Sequence, residues 1–318
     1  MFNQEMTTAR YLDLWLETVV SHSVRYSTYS SYEGYVNNHI KRVIGGLTLS
    51  ELSPAAIQGL IAHLCKEGKL GARTISIIIT MLRNALNCAE EYGLLKNPCR
   101  SLRLPKIEEE EFPAFSRAEQ TRIEYAAQAL AENDTRCYGV LLALYTGVRI
   151  GELCALRWEN VDFENKCIKI KASLNRALNA SDGTKTQMRE CEPKTKMSKR
   201  TIQLADFLVR LLCKLKAKSI GVYVISAKCG KFVHPRTMQN IYKRLLIQAN
   251  VPAAAFHKLR HTFATRAAEL SADVKSVSVT LGHSNAQITL NRYTHALKEQ
   301  KQKLMDGLNA YFESKNEL

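Results

Sequence analysis

Apolar residues recur every three to four positions through most of the first hundred residues, which is the spacing of helices that bury one face. Ser53 followed by Pro54 predicts an N-cap and the first position of one helix, which Gly68 ends. A longer helix is predicted from Ala72 to about Glu91. The earliest apolar stripe consists of Tyr11, Leu12, Trp15 and Leu16. The first hundred residues are therefore predicted to form a helical domain.

The helical spacing stops near residue 97, where a stretch rich in proline and glutamate begins. This stretch predicts a solvated linker over residues 98–115. Ser116, with Glu119 three residues later, has the pattern of a capping box and predicts the first helix of a second domain. The chain is accordingly expected to divide into a first domain over residues 1–97, the linker, and a second domain over residues 116–318.

The second domain combines helices with short strands. A fully apolar helix is predicted around Val140 to Tyr145. Alternating apolar and polar residues at 167–171 and 200–204 predict strands of a small sheet, and helical spacing resumes at Asp206. The predicted fold class is mainly α with a small β-sheet, in which a helical domain precedes a mixed α/β domain.

The charge of the chain is that of a nucleic-acid-binding protein, although charge alone is equally consistent with a basic soluble protein that binds none. Forty-five lysines and arginines oppose thirty aspartates and glutamates, which gives a formal net charge of +15. No stretch approaches the roughly 18 apolar residues of a membrane span, and the nine cysteines are scattered without metal or redox spacing. A cytoplasmic location without a membrane partner is expected. No glycine-rich phosphate loop occurs in the sequence, so no nucleotide cofactor is expected.

Candidate catalytic residues lie in four short motifs in a fixed order. Thr-Gly-Val-Arg-Ile-Gly-Glu-Leu covers residues 146–153, His-Lys-Leu-Arg-His covers 257–261, Leu-Gly-His covers 281–283, and Tyr293 follows. The first histidine and the arginine of the second motif are three positions apart in a segment with helical spacing, so they share a face. Any one of these motifs occurs by chance in many proteins, whereas the ordered set is a specific signal.

On these motifs the chain resembles the tyrosine recombinase, or phage integrase, family, and the resemblance covers essentially the whole chain. It implies an N-terminal helical core-binding domain of SAM-like fold and a mixed α/β catalytic domain with a C-terminal tail helix. It also implies site-specific cleavage and rejoining of DNA through a covalent 3′-phosphotyrosine, as in integrases of mobile or conjugative elements, with no metal and no cofactor. The family's catalytic positions fall on Arg149, Lys196, His257, Arg260, His283 and Tyr293.

Phosphodiester cleavage gives each of these residue types a role. Attack on phosphorus builds negative charge on oxygen, and the guanidiniums of Arg149 and Arg260 match that charge with planar pairs of donors. Tyr293 is the expected nucleophile, and the histidines would bond phosphate oxygens or transfer its proton. By the resemblance, Lys196 on a β-hairpin protonates the leaving 5′ oxygen, and Lys194 remains an alternative.

Two further motif residues have supporting or structural interpretations. Glu152, one turn after Arg149, is expected to brace that helix or an arginine through hydrogen bonds. His257 and His261 have the spacing of half a zinc site, but Lys258 stands where the glutamate of a zinc-protease motif would be. No metal is therefore expected, and His261 is interpreted as structural.

Candidate DNA contacts lie on the second predicted helix, at the start of the long helix and in the basic hairpin. Hydroxyls and cations suit phosphate contacts, although a helix with several tyrosines can equally be a half-buried packing face. The candidates are Tyr26, Ser27, Thr28, Lys41, Arg42, Arg73, Lys194 and Lys199.

The expected partners follow from the resemblance. They are double-stranded DNA at recombination sites, further copies of the chain in a homo-tetramer on paired sites, and an accessory directionality factor. The tail after Leu297 is expected to dock on a neighbouring protomer or on its own domain. Three other functions stay open: a chromosome-dimer resolvase of Xer type, a type IB topoisomerase, and a catalytically silent DNA-binding regulator. The complete set of catalytic residues argues against the regulator.

Overall fold

The computed structural model describes residues 3–107, 113–178, 186–192, 199–270, 273–282 and 305 of the 318. The chain divides into two compact units. One comprises Met1–Glu111 with Arg176–Gln187, and the other comprises Phe112–Asn175 with Met188–Leu318. Each unit has a buried apolar core of its own. Within the described ranges, no helix has the length and apolar character needed to cross a membrane.

The first unit is built from helices, as its apolar spacing predicts. Two of these helices continue through a π-helical turn, one at Leu16–Val20 and the other at Val36–Ile40. The helices are α1 (Thr8–Trp15), α2 (Ser21–Ser23), α3 (Tyr26–Tyr35), α4 (Lys41–Ile44), α5 (Pro54–Glu67) and α6 (Ala72–Glu91). The predicted helical character of this part of the chain is confirmed.

Capping residues set the ends of α5, and a long apolar face accounts for the length of α6. The Ser53 hydroxyl accepts a hydrogen bond from Ala56 N at 3.2 Å, and Gly68 ends α5 with a left-handed φ of 65°. The leucines and most of the isoleucines of α6 lie in the core, which accounts for its length of 20 residues. The bounds predicted for both helices are confirmed.

The second unit mixes helices and strands, also as predicted. A capping box opens its first helix, because Ser116 N donates to Glu119 Oε2 and Glu119 N donates to Ser116 Oγ. The helices are α7 (Arg117–Ala131), α8 (Tyr138–Thr146), α9 (Ile150–Ala155), α10 (Asp206–Ala217), α11 (Pro235–Gln248), α12 (His257–Glu269) and α13 (Val274–Leu281). The strands that lie wholly in this unit are β1 (Val161–Asp162), β2 (Cys167–Ile170) and β5 (Arg200–Gln203). Strands β3 (Ser173–Leu178) and β4 (Thr186–Cys191) have residues in both units.

The strands form a three-stranded antiparallel sheet in the order β1-β2-β5 and a two-stranded sheet of β3 and β4. In the larger sheet, Ile168 lies opposite Ile202, and Ile170 lies opposite Arg200. All three isoleucines are buried in the core of the unit. Because side chains alternate along a strand, Arg200 lies on the same side of β5 as Ile202, and it too is buried.

Helix α8 ends at Gly147, whose φ of 65° is left-handed. A Cβ at this position would lie 2.6 Å from Leu281 Cδ2 and 2.7 Å from Phe263 Cδ1. Both distances are too short for atoms that are not bonded. The backbone conformation and the lack of space therefore each require glycine, and its absence of a side chain lets α12 and α13 approach the end of α8.

Gly147→Ala is expected to lower the free energy of unfolding of the second unit by about 3 kcal/mol, because it combines left-handed strain with overpacking. Gly68→Ala is the control, since Gly68 has the same φ of 65° but nothing within 4 Å of an added Cβ, and a loss of about 1 kcal/mol is expected there. Urea unfolding measures both changes.

The two tryptophans of the chain make this measurement specific for each unit. Trp15 lies in the first unit and Trp158 in the second. Replacing one of them with phenylalanine leaves the fluorescence of the other to report its own unit. Equal losses at the two glycines would contradict the crowding inferred at Gly147.

Candidate active site

Three arginines from separate parts of the second unit converge on the C-terminal end of α13. Arg200 Nε, Arg260 Nη2 and Arg149 Nη2 donate in turn to the carbonyl oxygens of residues 280, 281 and 282, at 2.6, 2.6 and 3.3 Å. The last carbonyls of a helix have no partners within it, and they carry the negative end of the helix dipole. These three guanidiniums, called here the arginine cluster, supply both the missing hydrogen bonds and the opposite charge.

Arg260 joins the ends of two helices. It lies in the first turn of α12 and is 3% exposed. Its Nη1 donates to Gly147 O at 2.7 Å, and its Nη2 donates to Leu281 O. The neighbouring Leu259 is buried in the core of the unit, which fixes the rotation of α12 about its axis. The guanidinium is thereby held between the ends of α8 and α13.

Arg149 and Glu152 form the start of α9. Arg149 N donates to Glu152 Oε2 at 2.9 Å, and Arg149 Nη1 donates to Glu152 Oε1 at 2.9 Å. The same carboxylate accepts hydrogen bonds from Nη1 and Nη2 of Arg200, at 3.0 and 2.8 Å. These are hydrogen bonds of the kind expected for Glu152. The side chain of Arg149 is 38% exposed, whereas Arg200 and Arg260 are each 3% exposed, so Arg149 is the member of the cluster that solvent reaches most.

The pKa of Glu152 is held below its ordinary value of 4.5. Burial by itself raises this pKa, but the hydrogen bonds and charge of Arg200, followed by those of Arg149, outweigh the effect of burial. The carboxylate is therefore ionised in the folded protein at neutral pH. It offsets part of the cost of placing two guanidiniums in a poorly solvated position.

His257 is exposed at the first position of α12, three residues before Arg260. Its ring lies edge-on to that of His261, with 4.8 Å between the ring centroids. The helix therefore brings His257 and Arg260 to neighbouring positions, as their spacing predicts. In the part of the chain that the structure describes, no three His, Cys, Asp or Glu side chains are grouped so that they could hold a metal ion.

Four residues of the expected site lie outside the described residues: Lys194, Lys196, His283 and Tyr293. Their roles stay predictions. The described residues on either side of Lys194 and Lys196 in the sequence are Glu192 and Lys199, and Lys199 Nζ donates to Glu192 Oε1 at 2.9 Å. Gly282, whose carbonyl accepts a hydrogen bond from Arg149, directly precedes His283 in the sequence.

The candidate DNA contacts on α3 belong to a helix of which no residue is buried. Ser27 is exposed, and Tyr26 and Thr28 are half-buried. Further along the same helix, Tyr32 stacks on the buried Trp15 with 6.1 Å between ring centroids. The helix therefore combines an accessible hydroxyl-rich part with tyrosines that pack against the core.

The basic candidates of the first unit differ in what surrounds them. Arg42 and Arg73 are exposed. Lys41 Nζ instead donates to Asp13 Oδ1 at 2.5 Å and to Asn37 Oδ1 at 2.8 Å. Any phosphate would have to compete with this ion pair for the ammonium, which weakens the case for Lys41 as a DNA contact.

Sequence reasoning did not single out Arg200 as a site residue. Its side chain is 3% exposed and makes a two-point ion pair with Glu152. The available signal was its place two residues before Ile202 in an alternating strand, which puts a charged side chain on the apolar face. A cation on such a face requires a buried partner.

Comparison with known proteins identifies relatives over nearly the whole chain. Residues 107–300 match the Phage integrase family, and residues 7–65 match the N-terminal SAM-like domain of phage integrases. A tyrosine recombinase XerC-like protein of Caldanaerobacter subterraneus subsp. tengcongensis is 33% identical, over 97% of this chain and 84% of the relative. The predicted family is therefore confirmed.

Solved structures share the fold. The Tn1549 transposon integrase in complex with transposon right end DNA aligns with a TM-score of 0.80 at 21% identity, covering 96% of this chain and 100% of that chain. A lambda integrase tetramer bound to a Holliday junction aligns with a TM-score of 0.69 at 19% identity, covering 91% and 77% of the two chains.

A helical unit followed by a mixed α/β unit with this set of motifs defines a tyrosine recombinase, an enzyme class that cleaves and rejoins DNA at specific sites. The chain belongs to the phage integrase family. The predicted fold class, a helical core-binding domain with a mixed α/β catalytic domain, is confirmed with it.

Glu152→Gln is expected to lower the free energy of unfolding of the second unit by about 3 kcal/mol at neutral pH, because two guanidiniums lose their counter-charge. The folded-state pKa of Glu152 is depressed, so its stabilisation is fully present above the unfolded-state pKa and is lost as pH falls through the folded-state value. The difference between wild type and variant in urea unfolding should therefore shrink as the pH is lowered below 4.5.

Glu119→Gln is the control for this titration. The pKa of Glu119 is also lowered, chiefly by the hydrogen bond from Ser116 N and less by the charges of Lys258 and Arg122. Glu119 is only half-buried, and neither of these two cations is buried. Glu119→Gln should therefore lower the free energy of unfolding much less than Glu152→Gln. A loss in Glu152→Gln that does not change with pH would show that the ion pair is not its cause.

Proposed function

We propose that this recombinase cleaves one DNA strand at a time by attack of Tyr293 on a phosphodiester, and that it thereby integrates or excises a mobile element. The observation that supports this most is the arginine cluster. Arg149 and Arg260 donate to the adjacent carbonyls of residues 282 and 281, so their guanidiniums are neighbours. These two residues directly precede His283 in the sequence.

Two adjacent guanidiniums suit a phosphodiester under attack. The transition state carries negative charge on its non-bridging oxygens, and donors that are already fixed in place stabilise it without reorganisation. Arg149 has the solvent exposure that contact with a substrate requires. Arg260 lies deeper and is fixed by two carbonyls. Arginine offers a phosphate two parallel donors, which lysine does not.

The covalent step conserves the bond energy of the strand. The phenol of Tyr293 gives its proton to His257 or His283, and its oxygen forms a bond to phosphorus while the bond from phosphorus to the 5′ oxygen breaks. That 5′ oxygen leaves with a proton from Lys196. An ordinary tyrosine has a pKa of about 10, so nearby cations would stabilise the developing phenolate. A 5′ hydroxyl of another strand can then reverse the step, which is why rejoining needs no nucleotide.

The proposed substrate is double-stranded DNA. The net charge of +15 and the exposed Ser27, Arg42 and Arg73 on the first unit support phosphate contacts there. The likeness to the lambda integrase tetramer on a Holliday junction supports a homo-tetramer on paired sites. An accessory directionality factor, and a cytoplasmic location where such DNA is found, belong to the same proposal.

A chromosome-dimer resolvase of Xer type is the second candidate, because the relative at 33% identity is XerC-like. The two functions differ in their DNA sites. A resolvase acts on a fixed chromosomal site, whereas an integrase acts at the ends of the element that carries it. The sequence of the DNA that becomes attached to the enzyme distinguishes them.

The first test is covalent capture. Wild type is incubated with a pool of nicked duplexes that have a randomised core, in which the short fragment beyond the nick diffuses away after cleavage and traps the enzyme on DNA. An adduct that resists denaturant is expected, with the DNA on the tryptic peptide that contains Tyr293. Tyr293→Phe is expected to form none, because it lacks the attacking oxygen.

Tyr125→Phe is the matched control, since Tyr125 is an exposed tyrosine of the same unit. Its adduct yield should equal that of wild type. An adduct that persists in Tyr293→Phe would refute the assignment of the nucleophile. Failure of wild type to react with any duplex in the pool would favour a DNA-binding regulator.

The second test decides which lysine is the general acid. On the duplex recovered from the pool, Lys196→Ala should cleave at least about 100-fold more slowly than wild type. A duplex with sulfur in place of the bridging 5′ oxygen releases a thiolate that needs no proton, so Lys196→Ala should cleave it at nearly the wild-type rate.

Lys194→Ala is the comparison, and its cleavage rate should be close to that of wild type with either duplex. If Lys194→Ala instead cleaves the natural duplex slowly and the sulfur-containing duplex at nearly the wild-type rate, Lys194 is the general acid. Equal losses with both duplexes in Lys196→Ala would refute proton donation by that residue.

A further inference from the structure

Arg200 is a buried cation that the scheme above does not use. It is the first residue of β5, and its side chain is 3% exposed. Its Nη1 and Nη2 donate to the two carboxylate oxygens of Glu152, and its Nε donates to Thr280 O. Each nitrogen of this guanidinium therefore donates to a partner within the protein.

The carboxylate of Glu152 connects Arg200 directly to Arg149. Its Oε1 accepts from Nη1 of both arginines, at 2.9 Å from Arg149 and 3.0 Å from Arg200. Its Oε2 accepts from Arg149 N at 2.9 Å and from Arg200 Nη2 at 2.8 Å. Any rotation of this carboxylate would change the position of the Arg149 guanidinium and of the backbone from which it extends.

A second path to Arg149 runs through Gly282. A Cβ on Gly282 would lie 3.1 Å from both Cδ and Nη1 of Arg200, so the arginine packs closely on that backbone. The carbonyl of the same glycine accepts the hydrogen bond from Arg149 Nη2. Arg200 therefore borders both groups that the Arg149 side chain contacts.

Stability alone does not require an arginine at this position. Buried ion pairs can often be replaced by apolar residues of similar volume without loss of stability. A two-point arginine–carboxylate pair does one thing that an apolar pair cannot do, because it fixes the rotation of the carboxylate. In this protein that rotation sets the donors of Arg149.

We propose that Arg200 is a positioning residue for DNA cleavage, which holds Glu152 and the end of α13 so that the Arg149 guanidinium is oriented toward the scissile phosphate. The inference rests on the proposed function, since it assigns Arg149 to the phosphate. Arg200 acts through Arg149 and does not itself touch DNA.

Arg200→Lys tests the proposal, because it retains the positive charge and loses the pair of parallel donors. On the duplex recovered from the pool, the cleavage rate at saturating DNA should fall by about 10- to 100-fold, while the dissociation constant for DNA changes little. Arg136→Lys is the matched control. Arg136 makes a two-point pair with Asp134 in the same unit, at 2.7 and 2.9 Å, and its rate should stay close to that of wild type.

A neutral substrate separates positioning from a general loss of structure. Replacing one non-bridging oxygen of the scissile phosphate with a methyl group removes charge that Arg149 would neutralise. Arg149→Ala should then lose less activity relative to wild type than it loses on the natural phosphate. If Arg200 acts through Arg149, Arg200→Lys should show the same reduced loss, whereas a distorted fold would lower both rates by the same factor.

The outcomes distinguish the inference from the function on which it rests. Wild-type cleavage by Arg200→Lys, or equal losses on charged and neutral duplexes, would overturn the positioning role and leave the proposed function intact. Failure of wild type to form any adduct would refute both. If Arg200→Lys proves unfolded in urea titration, Arg200→Gln takes its place, because it keeps the ion pair of Glu152 with Arg149 but cannot give the carboxylate two parallel charged donors. That variant should fold and still cleave slowly, and rapid cleavage by it would overturn the proposal.

Discussion

The catalytic unit depends on hydrogen bonds from three guanidiniums to the end of one short helix. Helix α13 presents the carbonyls of residues 280, 281 and 282, which its own backbone leaves without intrahelical partners. The arginines that meet them come from β5, from α12 and from the turn before α9. Their approach is possible because Gly147, where α8 ends, has no side chain between α12 and α13. Displacement of this helix end would remove a partner from all three arginines at once.

The same arrangement combines one carboxylate with several carbonyl dipoles. Glu152 forms ion pairs with Arg149 and Arg200, and Arg260 donates to the carbonyls of Gly147 and Leu281. Carbonyl dipoles orient a cation without cancelling its charge. A phosphate beside the exposed side chain of Arg149 would bring the opposite charge to an oriented cation, which favours binding and, more strongly, a transition state with added charge on oxygen.

Much of this fold could be read from local sequence signals. Caps and left-handed glycines depend on residues within one helical turn, so both ends of α5 and the start of α7 were predictable from Ser53, Gly68 and the Ser116–Glu119 box. Arg149 and Arg260 were predicted as site residues because their motifs have fixed spacings, and the structure places both at the end of α13.

Other parts of the site depend on pairs that are distant in sequence. Arg200 is 48 residues from Glu152 and 80 from Thr280. Lys41 is 28 residues from Asp13, the partner that binds its ammonium. No spacing rule connects such residues, because their contact exists only after the elements have packed. The inward register of β5 indicated a buried cation, but it could not indicate its partner.

Under the proposed function, its position in the sequence gives the arginine cluster a role beyond binding charge. Strand β5 begins at Arg200, shortly after Lys194 and Lys196 in the sequence. Helix α13 ends at Leu281, two residues before His283, and Tyr293 follows ten residues after His283. The hydrogen bond from Arg200 Nε to Thr280 O connects the start of β5 to the end of α13. A proton donor and a nucleophile that act on one phosphorus need a common frame, because misplacement by about 1 Å can cost 100-fold in rate. The groups that stabilise charge belong to that same frame, so replacements within it should not add independently.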